Sequence, residues 1–207
     1  PLQADTFFEF ERRTGHTILE RYGMTETGMN TSNPLHGERR AGTVGFPLPG
    51  VTVRICDADN RELGVNEVGA LQVRGANVFS GYWKLPAQTA QDFTPDGFFN
   101  TGDQALVDED GYVSIVGRSR DMVISGGLNV YPKEIELLID ELPGVKESAV
   151  IGLPDADFGE VVVAVVVLVE GATLSAERIR DAIRDRVANF KVPKKVLFID
   201  ELPRNAM

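Results

Sequence analysis

The chain has 207 residues, 43% hydrophobic and 25% charged, enough to bury a core in one large domain or two modest ones. A formal net charge of −10 excludes nucleic acid or an anionic membrane surface as the main partner. The single cysteine, Cys56, excludes an internal disulfide, lacks a metal-ligand pattern, and points to a reducing cytoplasm.

The opening "PLQADTFFEF" has acids where a signal peptide is basic and no initiator Met, so it reads as a cut start. Asp5 is placed as a helix N-cap, with Phe7, Phe8 and Phe10 at helical spacing. Gly15 then turns the chain into a short strand over residues 17–20. From residue 41 to 116 the text is short strands and turns. "GVTVRICDADNREL" and "GALQVRGANVF" alternate, and "DADN" and "DEDG" have hairpin-turn chemistry. Glycine is dense here, as at sharply bent sheet or barrel corners. Beyond residue 120 the pattern is mixed. A helix covers "PKEIELLIDEL" with Pro132 at its start, strands cover 148–153 and 161–169, an amphipathic helix covers "SAERIRDAIRDRVANF", and "KVLFID" is a strand. The apolar run "VVVAVVVLV" is too short to span a bilayer and rich in β-branched residues, so it is a buried strand with no membrane role. The expected domains are residues 1–119, ending in a β-rich, barrel-like region, and residues 120–207, a small α+β domain.

The acidic cluster "DADNRELGVNE" lacks the Gly and Glu of a calcium loop and reads as a turn, as does "DEDGY". His16 and His36 stand without a nucleophile or second ligand in register. Three stretches admit a sharper reading beside a plain one. In "YGMTETG" (22–28), small residues, a hydroxyl and a carboxylate beyond a strand end suit a phosphate and a metal, and equally a capped turn. In "FFNTGDQALVDEDGYVSIVGRSRD" (98–121), Asp103 after a Thr-Gly turn and Arg118 after the next strand suit the hydroxyls of a ribose, or are a capping Asp and a surface Arg. In "DMVISGGLNVYPKEIE" (121–136), a Gly-Gly pair between strand and helix allows close approach of a ligand, or only a tight turn.

Taken in order, "YGMTET", "GALQVRGANVFSGYW", "TGD", "GRSRDMVISGGLNVYPKEIE" and "LPRN" resemble the acyl-adenylate-forming superfamily of acyl-CoA synthetases, luciferases and peptide-synthetase adenylation domains. The resemblance covers essentially the whole chain. It implies an α/β and α+β architecture: the β-rich end of the large N-terminal domain, then a small mobile C-terminal domain. It also implies a two-step reaction, in which a carboxylate attacks the α-phosphate of Mg-ATP to give an acyl-adenylate and pyrophosphate, and a coenzyme A thiol then displaces AMP. By the same resemblance Glu26 holds Mg²⁺, Thr25 contacts the α-phosphate, and Tyr22 and Gly23 flank the adenine and acyl groups. Asp103 and Arg118 match the ribose-binding pair. Arg120 occupies the hinge position, commonly Asp or Lys in the family, and Gly126 and Gly127 match the loop lining the pantetheine tunnel.

The family places a Gly-Lys pair soon after "LPRN", whose lysine holds the carboxylate and α-phosphate. That lysine lies beyond Met207, and the upstream phosphate loop is not in the sequence, so the expectation is a C-terminal portion without activity of its own. The wording "GMNTSNPL" resembles malonyl-CoA synthetases. Asn30, Ser32 and Asn33 are polar where a long-chain enzyme needs an apolar tunnel, Met29 is placed on the acyl-pocket wall, and Arg39 and Arg40 are candidate partners for a second carboxylate, or a solvated loop. Medium-chain or aryl acids are the alternative substrates. A further alternative is a non-catalytic module for a lysine acyltransferase acting on the loop after Met207, with "KVPKK" as a docking patch.

Overall fold

The computed structural model describes residues 2–204. It divides into two compact units between Ser119 and Arg120.

The first unit opens with α1 (Ala4–Thr14), which buries Phe7 and leaves Phe8 and Phe10 exposed. Its N-cap is Gln3, which makes no side-chain cap, and Asp5 lies inside the first turn, where its charge still suits the helix dipole. Gly15 ends the helix in the left-handed conformation, φ 71°, its N–H bonded to Glu11 O. The strand expected over residues 17–20 forms later, as β1 (Arg21–Met24), paired antiparallel with β2 (Gly28–Ser32). Asn33 N–H still reaches Glu20 O at 2.9 Å, but Pro34 has no N–H to extend the ladder. β3 (Phe46–Pro47) completes this sheet against β2.

The second sheet is an antiparallel meander, β4 (Val51–Cys56), β5 (Gly69–Gly75), β6 (Phe99–Val107) and β7 (Val113–Arg118), with α2 (Pro86–Asp92) between β5 and β6. In the region expected to be barrel-like, β4 and β7 do not pair with each other, and β7 is bridged at Val113 to Gly45, just ahead of β3. Alternation puts Val53, Ile55, Leu71, Ala105, Val113 and Ile115 on one face, where they pack with Val44 and Tyr22. The opposite face carries Arg54, Cys56 and Gln72, joined through the Gln72 amide. The "DADN" stretch is a turn, with Asp57 Oδ1 accepting the N–H groups of Asp59 and Arg61.

The second unit begins with the short hairpin β8 (Val123–Ser125) and β9 (Leu128–Val130), followed by α3 (Pro132–Asp140). A long hairpin joins β10 (Val145–Asp155), an edge strand, to β11 (Gly159–Leu168), the centre of the sheet. After α4 (Ala176–Arg184) the chain returns as β12 (Lys195–Phe198), parallel to β11. The apolar run is thus the buried central strand. Ser175 caps α4 by accepting Arg178 N–H, and Ile179 and Ile183 pack with Ile135, Ile139, Val162, Ala164 and Val166. This helix is shorter than its pattern. Ala188 is extended, and a 3₁₀ turn over Asn189–Lys191 seats Phe190 against the core. No helix among the described residues is long and apolar enough to cross a membrane.

Candidate active site

The β1–β2 hairpin carries Thr25 and Glu26 at its tip. It is narrow beside the tip, where a Cβ on Gly23 would sit 2.2 Å from the Gly28 carbonyl oxygen, so only glycine fits the close backbone approach. Thr27 N–H closes the turn on Met24 O at 3.2 Å, and Thr27 is fully buried. Thr25 is exposed and Glu26 half-buried, a carboxylate and a hydroxyl presented side by side.

The loop after β5 fastens this tip. Phe79 N–H donates to Glu26 O at 2.8 Å, and the Tyr82 hydroxyl donates to Glu26 Oε1 at 3.2 Å. The Asn77 amide donates to Thr27 O at 2.7 Å and to Asn30 Oδ1 at 3.1 Å, while Asn30 donates to Thr27 Oγ1 at 2.7 Å. Burial, followed by the Glu26 charge, pushes the Tyr82 phenol up to about 12, so it stays a donor. The rings of Phe79, Tyr82, Phe93 and Phe99 pack edge-on and stacked at centroid separations of 4.8–5.9 Å, joining the loop to the start of β6.

The second group converges from three strands. Asp103 on β6 faces Arg118 on β7, with Arg118 Nε 3.8 Å from Asp103 Oδ1. Tyr22 on β1 donates to Asp103 Oδ2 at 2.6 Å. Burial, then the Asp103 bond and charge, hold the Tyr22 phenol well above its ordinary value. The expected Thr-Gly turn before Asp103 is absent, because Thr101, Gly102 and Asp103 lie within β6. Gly102 takes φ 77° in mid-strand and the register shifts after Gln104, a bulge that re-aims the Asp103 side chain. Thr101 Oγ1 receives Asp103 N–H at 3.1 Å and donates to Leu71 O at 2.8 Å. Arg118 is the last residue of β7 and its side chain is more than half exposed. One partly buried acceptor and one exposed cation on adjacent strands suit a polyhydroxylated ring.

Other sequence-derived candidates fall elsewhere. Met29 lies on β2 with an exposed side chain. The polar residues beside it are part of the fold: Asn30 belongs to the tip network, Asn33 donates to Thr43 O at 2.8 Å, and Ser32 donates to Asn33 O at 2.8 Å. Their polarity therefore says little about an acyl tunnel. Arg39 donates to the carbonyls of Thr17, Pro34 and Leu35, and Arg40 pairs with Glu38, Asp108 and Asp110 and lies over the Tyr112 ring. Both guanidinium groups are engaged within the fold.

Arg120, Gly126 and Gly127 lie in the second unit. Arg120 is in a single 3₁₀ turn, Ser119–Asp121, its exposed Nε 3.6 Å from Asp121 Oδ1. Gly126 and Gly127 are the two-residue turn of the β8–β9 hairpin, φ 59° and 79°, the mirror-image turn that matches strand twist. Gly126 N–H donates to Phe158 O at 2.9 Å. In "KVPKK", Lys191 is bound to both Glu134 oxygens at 2.7–2.9 Å. The end of "LPRN" lies outside the described residues. Asn77 and Tyr82 were given no role from sequence, although both stand in the quoted stretch "GALQVRGANVFSGYW".

Residues 1–83 match a model of the AMP-binding enzyme family, and residues 134–207 match that of the AMP-binding enzyme C-terminal domain. The chain belongs to the adenylate-forming superfamily of AMP-binding enzymes. It is similar to ATP-bound MatB from Rhodopseudomonas palustris, with 56% identity and a TM-score of 0.95 over 100% of this chain and 41% of that one. It is also 43% identical to the malonate–CoA ligase of Arabidopsis thaliana, over 100% of this chain and 35% of the relative. The indoleacetate–CoA ligase of Aromatoleum aromaticum is 42% identical over 94% of this chain and 38% of its own length. The chain thus spans between a third and a half of each relative.

Proposed function

We propose that this chain is part of an AMP-forming acid–CoA ligase that activates malonate or methylmalonate with ATP and passes the acyl group to coenzyme A. The observation that carries the reading is the whole-chain similarity to a malonate–CoA ligase, joined to a Tyr22–Asp103–Arg118 group whose side chains are in reach of one another. In this reading Asp103 accepts from the ribose hydroxyls and Arg118 donates to them, with Tyr22 holding Asp103 in place. Thr25 donates to a phosphate oxygen, Arg120 is the hinge, and the Gly126–Gly127 turn lets the thiol arm approach the backbone.

Glu26 would hold a magnesium ion, whose charge offsets that of the ATP phosphates. The donor set fits this ion. Glu26 and Thr25 offer hard oxygens, and among the described residues no group of three or more His, Cys, Asp or Glu side chains forms a cage. One carboxylate with phosphate oxygens and water is how magnesium is usually bound.

The similarity to an indoleacetate–CoA ligase supports a second reading, an aryl acid as substrate. A cytoplasmic location is proposed on the lone, buried Cys56. A lysine acyltransferase would act beyond Met207.

The test is exchange of pyrophosphate into ATP by the parent enzyme with malonate, methylmalonate, octanoate or indoleacetate. The expected result is the highest kcat/KM with malonate or methylmalonate. A preference for indoleacetate or octanoate would reject the substrate, and no exchange with any acid would reject the ligase.

A further inference from the structure

The geometry points to Tyr82 as a positioning residue whose hydroxyl orients the Glu26 carboxylate for a nucleotide-borne magnesium ion. The inference rests on the proposed ligase function and deepens it, because it names what aims the metal's carboxylate.

Glu26 is held twice by one loop. Its carbonyl receives Phe79 N–H at 2.8 Å, which fixes the backbone, and its Oε1 receives the Tyr82 hydroxyl at 3.2 Å, which fixes the side chain. The Tyr82 ring has little freedom of its own. It meets Phe79 edge-on at 4.8 Å, and the Tyr82 N–H donates to Thr89 Oγ1 at 2.9 Å. Thr89 is in turn anchored in α2, its hydroxyl donating to Leu85 O at 3.0 Å. Gly81 makes this seat possible, since a Cβ there would lie 2.6 Å from Thr89 Cγ2, with φ at 140°. A chain of contacts therefore runs from α2 through Tyr82 to one carboxylate oxygen, leaving Oε2 as the oxygen offered to a cation.

The chemistry favours a phenol in this place. A neutral donor fixes the carboxylate while preserving its full charge, whereas a lysine or arginine would neutralise what a cation needs. Phenylalanine would fill the same space without aiming anything. Tyr82 also lines an open cavity of about 660 Å³ with Phe79, Trp83 and Phe93, so packing is the competing explanation and Tyr82→Phe separates the two.

The test is calorimetric titration of the parent enzyme with ATP, with and without Mg²⁺, reading the factor by which the metal tightens ATP binding. Tyr82→Phe is expected to leave metal-free ATP affinity unchanged and to lower that factor about tenfold, the effect of losing a partner that orients a metal ligand. Glu26→Gln should abolish the factor. A full magnesium factor in Tyr82→Phe, or in Glu26→Gln, overturns the assignment. If Tyr82→Phe does not fold, Thr89→Val decides, because it loses the hydroxyl that seats Tyr82, and an unchanged factor there also overturns it. A wild type that binds no ATP under either condition rejects the ligase reading itself, and the assignment with it.

Discussion

Tyr22 donates its phenolic proton to Asp103 Oδ2 at 2.6 Å, joining β1 to β6 across 81 residues of sequence. The bond is charge-assisted and largely shielded from water, and it orients the acceptor proposed for ribose. Tyr22→Phe keeps the ring against the core and loses only the donor. The expected cost is about 1.5–3 kcal/mol, seen as a lower Tm, together with weaker AMP binding. The pH dependence follows from the raised folded pKa of Tyr22. The fold favours the neutral phenol, so this contribution is complete below the ordinary tyrosine value near 10 and is lost as pH rises through the folded one. Tyr82, pushed up to about 12, acts in the same direction. Wild-type stability should therefore fall above pH ~10, and more gently in Tyr22→Phe.

Element types were legible because period-2 alternation over β4 and β5, and 3.6-period spacing at Ile135, Ile139, Ile179 and Ile183, mark which faces are buried. Boundaries were less so. The β1 ladder starts where Ser32 can pair with Arg21, which depends on the partner strand rather than on residues 17–20. The bulge at Gly102 looks like a turn in sequence because both need a glycine at positive φ. Asn30 and Asn33 look like pocket polarity because sequence does not show which amides are paired inside. Asn77 and Tyr82 reach partners 47 and 56 residues away, a relationship with no local signal.

Gly23→Ala should disturb the hairpin tip and its ligand together. The added methyl would press on the Gly28 carbonyl, a backbone atom that cannot swing aside, at a cost of about 1–3 kcal/mol. Gly15→Ala is the matched control, since it has open space and carries only the left-handed strain of about 1–2 kcal/mol at the end of α1. Both lower the Tm, and only Gly23→Ala is expected to weaken ATP binding by titration calorimetry.

Arg39 and Arg40 should govern stability rather than choice of acid. Arg39 bonds three backbone carbonyls and Arg40 three carboxylates, so neither has a free face for a substrate's second carboxylate. Arg39→Met is expected to cost about 1–3 kcal/mol and to leave the malonate-to-indoleacetate ratio of kcat/KM unchanged. A ratio moved more than about tenfold would return Arg39 to the acyl site.

Arg54 should act as an acid-sensitive clasp on the turn before β6. It donates to Gln72 Oε1 at 2.7 Å and to both Asp96 oxygens at 2.7 and 3.1 Å, and its guanidinium lies 3.8 Å from the centre of the Phe98 ring. Arg54→Met leaves the buried Gln72 oxygen without this donor, at about 1–3 kcal/mol. The Arg54 hydrogen bond, then that of Thr94, holds Asp96 down at about 2. A depressed carboxylate stabilises the fold above its ordinary value of 3.8 and ceases to do so as pH falls through the folded one. Melts should show the wild-type advantage over Arg54→Met shrinking between pH ~4 and ~2.

Gly126→Asn separates turn geometry from ligand access in the β8–β9 hairpin. The two glycines have φ 59° and 79°, and Asn-Gly is the pair best suited to such a turn. A Cβ on Gly126 would lie 3.4 Å from Phe158 Cδ1, ordinary contact, so folding should be preserved within about 0.5 kcal/mol. Gly127→Val is different, because a β-branched residue at φ 79° carries left-handed strain of about 1–2 kcal/mol despite the open space around it. If the thiol arm of coenzyme A passes close to this backbone, the new side chain obstructs it. Pyrophosphate exchange in Gly126→Asn should then match wild type while thioester formation falls about tenfold or more. Equal rates in both half-reactions would mean that the glycines serve the turn alone, and would remove Gly126 from the proposed coenzyme A path.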